Sequence, residues 1–214
     1  MKNFDGIIFD IDGTLTSTNE LIFESFRHIS KKYLNKTYSD EEIISLFGPT
    51  EDVIIKQWCG DEYEKARKDY YDFYTENHHM ADLYPGIKDI LKNLRAKNIL
   101  LSVYTGKGKE AATITLKKLE VYDYFDLIIT GDDVEEHKPS AEGIVKFINR
   151  FNLNKDRVLM VGDSIVDIKA ARGAGIKAAS VVWDSYSKEK ILEMGSDYVF
   201  NTVEELKIFL DDNT

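Results

Sequence analysis

The sequence predicts an α/β protein in which helices cover both faces of one parallel β-sheet. Its strands are indicated by short apolar runs that are continuous rather than alternating in polarity, as expected where both faces are buried. From residue 86 onward, stretches with helical spacing separate these runs, and such alternation is typical of parallel sheets with right-handed crossovers. The runs lie at residues 7–9, 99–104, 127–129, 158–161, 178–183 and 198–200.

The connecting helices are predicted from apolar residues that recur every three or four positions. One set directly precedes the run at 99–104, and the other precedes the run at 158–161. Both sets would place an apolar stripe against the sheet. They consist of Ile87, Ile90, Leu91 and Leu94, and of Ile144, Phe147, Ile148 and Phe151.

One long stretch breaks the alternation and is predicted to be a helical insertion. Residues 17 to about 80 contain no convincing strand, whereas Ser39 with Glu42 forms a capping box that opens a helix. Pro49 lies where another helix could start, and a longer one is expected over residues 62–78. We therefore predict two units, a core formed by residues 1–16 and 85–214 and a helical cap domain formed by residues 17–84. A first helix is indicated by the stripe Ile22, Phe26, Ile29 and Tyr33.

The composition fits a globular protein with a substantial core and argues against some partners. The chain has 214 residues, of which 43% are hydrophobic and 31% charged. That suits one domain, or one domain with an insertion. A net charge of −10 argues against a nucleic-acid or anionic-membrane surface. Because an acidic protein that acts on an anion needs local cations, we expect a metal ion or well-placed lysines at its site.

Other sequence features bear on location and assembly. A single cysteine, Cys59, leaves no disulfide framework and no cysteine-based zinc site. The first residues contain no apolar signal region, and no apolar run reaches the length of a membrane span. We therefore expect a cytoplasmic protein without a membrane partner. No pattern in the sequence indicates an oligomeric state.

The most informative segment is Asp10-Ile11-Asp12-Gly13-Thr14-Leu15, which directly follows the first apolar run. Its two carboxylates stand where a buried strand ends and a glycine-bearing turn begins, so both can reach one small site. Two carboxylates in one site cannot both stay ionised unless a cation lies between them or one holds a proton. The segment therefore indicates a divalent-metal site, an acid/base pair, or both.

Polar groups also follow the other predicted strands. Thr105-Gly106-Lys107 ends the second, Lys138-Pro139 comes after the third, and Gly162-Asp163-Ser164-Ile165-Val166-Asp167 ends the fourth. Parallel sheets bind ligands beyond the carboxyl ends of their strands. Several carboxylates in one place favour Mg²⁺ over Zn²⁺. A hydroxyl, the N–H groups of a glycine turn and an ammonium group suit a phosphate.

In order and spacing, these segments resemble the four motifs of the haloacid dehalogenase superfamily, in its phosphatase branch with a helical cap after the first motif. Residues 10–15 match the first motif, DxDGTL, and residues 162–167 match the fourth, GDSxxD. Thr105, at the end of a hydrophobic strand, matches the second motif, and Lys138-Pro139 matches the third. The resemblance covers essentially the whole chain and is greatest to the phosphoglycolate phosphatase group.

The resemblance implies catalytic roles for four side chains. Asp10 would be the nucleophile that forms an aspartyl-phosphate, and Asp12 the general acid that then serves as the base. Thr105 and the N–H of Gly106 would bind a phosphoryl oxygen, where charge collects in the transition state. Lys138 would orient Asp10, balance charge and contribute to substrate binding.

The resemblance also implies Mg²⁺ as cofactor. The ion would be held by a carboxylate oxygen of Asp10, the backbone carbonyl of Asp12 and the carboxylate of Asp163, and would reduce repulsion between nucleophile and phosphate. Asp167 would hold Lys138 or a metal-bound water, with Ser164 supporting the site from the same segment. Capping of the following helix is a competing role for Asp167.

These roles require a particular strand order. We predict a Rossmann-like sheet with the order 3-2-1-4-5, to which the run at 198–200 could add a sixth strand beside the fifth. The strand before Asp10 would then be central, between the strands that lead to Thr105 and to Asp163. That adjacency is what would assemble the site.

The cap would exclude water and recognise the leaving group. We expect Asn19, Phe23, Arg27 and the residues near 48–50 to face that group. Lys107 and Lys109 either add positive potential near the phosphate or are solvated surface lysines.

The leading hypothesis is a Mg²⁺-dependent phosphatase that acts on a small phosphorylated metabolite. Phosphoglycolate, pyrophosphate, a nucleoside monophosphate and a sugar phosphate are the candidate substrates. A phosphomutase similar to β-phosphoglucomutase is less favoured, because that family usually has an acidic residue where Gly162 stands. A dehalogenase does not need a second acid to protonate a halide, so the presence of Asp12 argues against that activity. A non-catalytic binding protein could lose its nucleophile, so the presence of Asp10 argues against that role.

Overall fold

The computed structural model describes residues 3–186 and 188–214, and a six-stranded parallel sheet forms its centre. Two further strands form a separate antiparallel pair. In chain order the strands are β1 (Gly6–Phe9), β2 (Thr16–Ser17), β3 (Asp82–Leu83), β4 (Leu100–Tyr104), β5 (Leu127–Ile129), β6 (Val158–Gly162), β7 (Lys177–Val181) and β8 (Tyr198–Phe200).

The order of the large sheet is β5-β4-β1-β6-β7-β8. Numbered among the sheet's own strands, this is 3-2-1-4-5-6, which confirms the predicted order and the sixth strand. Strand β1 is central, with Gly6 aligned with Leu100 of β4 on one side and with Val158 of β6 on the other. The segments that follow β1, β4 and β6 therefore meet at one edge of the sheet.

Helices cover both faces of this sheet. One face packs against the helices at residues 87–96, 109–118 and 203–213 around residues such as Phe9 and Leu101. The other packs against the helices at residues 142–151, 165–174 and 188–194 around Ile8 and Met160. Burial of β1 on both faces explains why its sequence is continuously apolar. The helices are α1 (Asn19–Leu34), α2 (Asp40–Ile44), α3 (Glu51–Cys59), α4 (Tyr63–Glu76), α5 (Ile87–Ala96), α6 (Lys109–Lys118), α7 (Glu142–Phe151), α8 (Ile165–Ala174), α9 (Lys188–Met194) and α10 (Val203–Asn213).

Helices α1 to α4 form the helical insertion between β2 and β3. They pack around a hydrophobic cluster of their own, which includes Phe26, Ile55 and Tyr70 and reaches Ala111 of α6. The Ser39–Glu42 capping box at the start of α2 is present as predicted. Helix α3 begins after an N-cap at Thr50, so Pro49 precedes the cap.

The antiparallel pair β2–β3 was not predicted. It aligns Thr16 with Leu83 and Ser17 with Asp82, at the two ends of the predicted insertion. Two-residue strands carry no hydrophobic run, and their pairing joins positions far apart in sequence, so no local pattern could predict them. The assignment of residues 17–84 to a separate cap domain stays a prediction.

Within residues 3–186 and 188–214, the helices are too short or too polar to cross a lipid bilayer.

Candidate active site

Asp10 lies at the carboxyl end of the central strand β1. Its backbone nitrogen donates a hydrogen bond to Val161 O of β6 across 2.9 Å, which continues the sheet pairing by one residue. The chain then turns at Gly13, where φ is +76°. A Cβ atom at Gly13 would lie 2.4 Å from Asp163 Oδ2, so only glycine lets Asp163 approach this turn.

Three carboxylates converge beyond β1 and β6. One oxygen from each of Asp10, Asp163 and Asp167 lies within 4.8 Å of the others. Burial raises the pKa of Asp10 to about 6 against the opposing effect of Lys138, and burial together with Asp10 raises the pKa of Asp163 well above its usual range. The donor set is all oxygen and carries uncompensated negative charge, which fits a hard divalent cation such as Mg²⁺.

Asp167 uses both carboxylate oxygens within the protein. Oδ1 accepts a hydrogen bond from Lys138 Nζ at 2.7 Å, and Oδ2 accepts one from the backbone nitrogen of Ser164 at 3.1 Å. The second bond is part of the capping box that opens α8, in which Ser164 Oγ also accepts from Val166 N. Asp167 thus makes both contacts that the sequence left as alternatives, because it caps the helix and holds the lysine.

Lys138 is buried between two of these carboxylates. Its Nζ lies 3.0 Å from Asp10 Oδ1 and 2.7 Å from Asp167 Oδ1. Burial alone would lower the pKa of Lys138, but the attraction of the two carboxylates outweighs it and raises the pKa above its usual range. The lysine therefore stays charged and holds Asp10 in place.

Asp12 is held by two groups that the sequence did not single out for it. Thr18 Oγ1 donates a hydrogen bond to Asp12 Oδ1, and Lys107 Nζ lies 3.3 Å from both carboxylate oxygens. Thr18 occupies the N-cap position of α1 but makes no capping hydrogen bond with its side chain. Its hydroxyl serves Asp12 instead.

Lys107 is buried, with 1% of its side chain exposed. Besides Asp12 it contacts the insertion, since its Nζ lies 3.5 Å from Glu51 Oε1. Burial raises the pKa of Glu51, and Lys107 opposes this effect. The solvated alternative is therefore wrong for Lys107, whereas Lys109 is 68% exposed and pairs with Asp133.

Strand β4 brings Thr105 and Gly106 to the same edge of the sheet. Thr105 is 2% exposed, and its Oγ1 accepts a hydrogen bond from the backbone nitrogen of Lys107 at 3.2 Å. Gly106 and Lys107 form the cavity wall at this strand. The phosphate-binding roles of Thr105 and Gly106 stay predictions.

A cavity of about 370 Å³ lies over these groups, between the sheet edge and the insertion. Its floor includes Asp10, Asp12, Lys138, Asp163 and Ser164. This volume is within the usual range for small-molecule sites. Most of the predicted site residues therefore line one cavity, whereas Thr105 and Asp167 are buried behind its wall.

The expectations for the insertion are met only in part. Asn19, Gly48 and Pro49 line the cavity. Phe23 instead packs in the hydrophobic cluster of the insertion, and Arg27 forms ion pairs with Glu24 and Asp40. Both residues lie on α1 but do not line the cavity, in contrast to Asn19 and Ile22 of the same helix.

Sequence reasoning missed Thr18 and Glu51 as partners of the site. A threonine before a helix and a glutamate in a first turn are both explained locally, by capping and by the helix dipole. Lys107 was named from the sequence, and its position two residues after Thr105, at the end of a strand adjacent to β1, is the signal that favours its place in the site.

Comparison with known proteins finds similar sequences along most of the chain. The family model for haloacid dehalogenase-like hydrolases matches residues 7–181. Pyrophosphatase PpaX of Halalkalibacterium halodurans is 31% identical over 202 residues, which cover 94% of each chain. Pyrophosphatase PpaX of Anoxybacillus flavithermus is 31% identical over 210 residues, which cover 95% of each chain.

A solved structure shows the same overall fold. The crystal structure of a predicted phosphoglycolate phosphatase from Haemophilus somnus superposes with a TM-score of 0.82 and 25% sequence identity. The match covers 98% of this chain and 99% of the other. The insertion is therefore included in the structural likeness.

Proposed function

The chain belongs to the haloacid dehalogenase-like hydrolases and is a phosphatase, and on that premise we propose that it hydrolyses a phosphate monoester of a small metabolite. Asp10 would be the nucleophile, Asp12 the general acid and base, and Mg²⁺ the cofactor. The observation that carries the proposal is the position of Asp10, which lies 3.0 Å from the buried Lys138 and beside Asp163 and Asp167. A pKa of about 6 leaves Asp10 mostly ionised at neutral pH, as a nucleophile requires.

In the first step, a carboxylate oxygen of Asp10 forms a bond to phosphorus as the bond from phosphorus to the leaving oxygen breaks. That oxygen takes a proton from Asp12, which Thr18 and Lys107 hold in position. In the second step, Asp12 takes a proton from water, and the water oxygen bonds to phosphorus. The bond between phosphorus and Asp10 breaks, so one ester and one water yield one alcohol and one phosphate.

The oxygen-rich cluster supports a place for Mg²⁺. Asp10 and Asp163, with the backbone carbonyl of Asp12, would hold the ion, while Lys138 and Ser164 occupy the oxygens of Asp167. When bound, Mg²⁺ supplies positive charge that lessens repulsion between the nucleophile and the phosphate. Lys138 orients Asp10 for attack independently of the ion.

Pyrophosphate is a second candidate substrate, favoured by the names of the relatives that share 31% identity along nearly the whole chain. A mutase is disfavoured by the space around Gly162. A Cβ atom there would lie 2.3 Å from the carboxyl carbon of Asp167, so an acidic side chain at this position would displace Asp167. The observed position of Asp167 therefore requires glycine at position 162.

The test is phosphate release with Mg²⁺ from phosphoglycolate, pyrophosphate, nucleoside monophosphates, hexose phosphates and p-nitrophenyl phosphate, using Asp10→Asn as control. We expect release by the wild type and a loss of at least about 10⁴-fold in Asp10→Asn, whose circular dichroism should be unchanged. Activity near the wild-type level in Asp10→Asn would contradict the mechanism. If nothing is released, conversion of β-glucose 1-phosphate to glucose 6-phosphate would identify a mutase instead.

A further inference from the structure

The cavity has two chemically different halves. The half formed by the core is mostly polar, because it holds the reactive carboxylates, the two lysines and His137, with Ile165 and Val166 beside them. The half formed by the insertion is apolar, and this is the side that a leaving group would meet. Its apolar side chains are Ile22, Phe26, Ile44, Phe47 and Ile54.

The insertion brings no cation to this cavity among the residues that the structure describes. Its polar side chains at the wall are Asn19, which is neutral, and Glu51, which is an acid. Arg27 is the cation of α1 that the sequence placed here, and it is paired with Glu24 and Asp40 instead. A second anionic group on the substrate would therefore find no opposite charge on this side.

The two lysines at the polar wall are already neutralised by neighbours. Lys138 contacts Asp10 and Asp167, and Lys107 contacts Asp12 and Glu51. Each lysine thus has two carboxylates, so the local charge stays negative before a metal ion binds. One bound Mg²⁺ and these lysines would serve the transferred phosphoryl group.

The mouth of the cavity carries exposed aromatic side chains on both sides. Phe47 of the insertion is 46% exposed and Tyr186 of the core is 64% exposed, although both line the cavity. The Phe47 ring is held by the buried Phe23, with 6.4 Å between ring centroids. Aromatic surface at a cavity mouth is suited to contact with an apolar ligand group.

We infer that the preferred substrate is a phosphate monoester whose leaving group is uncharged and apolar, either aryl or alkyl, rather than phosphoglycolate or pyrophosphate. This inference rests on the proposed phosphatase activity and specifies its substrate class. The physical reason is that a carboxylate or second phosphate against this wall would lose its hydration without gaining a partner. An apolar group would instead bury its surface against the same side chains.

The first measurement compares kcat/KM with Mg²⁺ for phenyl phosphate, phosphoglycolate and pyrophosphate. We expect the value for phenyl phosphate to exceed each of the other two by at least about 10-fold, because apolar pocket contacts discriminate on this scale. A smaller ratio against either anionic substrate overturns the inference. The proposed phosphatase activity would still stand in that case.

The second measurement changes the wall itself. Phe47→Lys and Tyr186→Lys each place an ammonium group at the mouth, from opposite sides, at exposed positions where folding should be retained. We expect the ratio of kcat/KM for phenyl phosphate over pyrophosphate to fall about 10-fold in each. Val53→Lys is the matched control, since Val53 is exposed on α3 without lining the cavity.

The outcomes separate the two proposals. The inference is overturned if the ratio of kcat/KM for phenyl phosphate over pyrophosphate falls equally in Val53→Lys. It is also overturned if that ratio falls in neither Phe47→Lys nor Tyr186→Lys while their melting temperatures are unchanged. Failure to release phosphate from all three compounds, with the wild-type fold intact, overturns the proposed function and with it the inference. Release from phenyl phosphate that disappears in Asp10→Asn shows that the preference belongs to the proposed site.

Discussion

Glu51 Oε2 in the insertion accepts a hydrogen bond from the backbone nitrogen of Gly108 in the core, across 2.6 Å. A Cβ atom at Gly108 would lie 2.7 Å from the same oxygen, so the glycine permits this close approach. The other oxygen of Glu51 faces Lys107, which in turn holds Asp12. The insertion and the proposed general acid are therefore connected through one buried lysine.

We predict that Glu51→Ala loosens this connection. The variant loses a charge-assisted hydrogen bond and leaves Lys107 with one carboxylate, so the free energy of unfolding should fall by about 2 kcal/mol. We also expect kcat/KM to fall about 10-fold, because the insertion is no longer fixed beside Asp12. Chemical denaturation and steady-state kinetics measure both. Glu64→Gln, at an exposed position of α4, is the control and should change neither the free energy of unfolding nor kcat/KM. If kcat/KM of Glu51→Ala equals that of the wild type, the contact has no part in activity.

Lys107→Met is predicted to be far more damaging than Lys109→Ala. Removal of the buried ammonium leaves Asp12 and Glu51 without their cation, which should lower the free energy of unfolding by about 3–5 kcal/mol. Lys109 forms a solvent-exposed pair with Asp133, worth no more than about 1 kcal/mol. Thermal melting of the two variants provides the comparison. Equal destabilisation would mean that burial of Lys107 does not determine its contribution.

Mg²⁺ is predicted to stabilise the protein in the absence of substrate. At 100 times its Kd the ion should add about 2.7 kcal/mol to the free energy of unfolding, which corresponds to roughly 5–10 °C in Tm. Asp163→Asn should lose this shift, whereas the exposed Asp89→Asn should keep it. Removal of metal with EDTA should abolish phosphate release, and added Mg²⁺ should restore it. An equal shift in Asp163→Asn would place the ion elsewhere.

Gly162→Ala should impair catalysis through Asp167. Its new Cβ would lie 2.3–2.6 Å from three side-chain atoms of Asp167, so the carboxylate must move away from Lys138. We expect kcat to fall about 10- to 100-fold, as for other residues that orient a catalytic group. Gly173→Ala, within α8, is the control, because its Cβ would meet Ala141 Cβ at an ordinary 3.4 Å. Unchanged kcat in Gly162→Ala would show that the position of Asp167 is not critical.

Much of the architecture follows from local sequence patterns. The central strands β1 and β6 are buried along their whole length, which explains their continuous apolar runs. The predicted strand order is confirmed with its sixth strand. The capping box at Ser39 and Glu42 is present because both of its residues lie within one helical turn. The short pair β2–β3 was missed because pairing across the insertion leaves no local pattern.

The sequence by itself determined the strands of the sheet, the position of Asp10 and Asp12 at the end of one strand, and the position of Asp163 and Asp167 after another. These depend on residues within a strand and the turn that follows it. Only the tertiary structure decided that Lys107 is buried between Asp12 and Glu51, and that Arg27 pairs with Asp40 and does not line the cavity. Such contacts join residues distant in sequence, and hydrophobic periodicity reports which face of an element is buried but not which distant charge it meets.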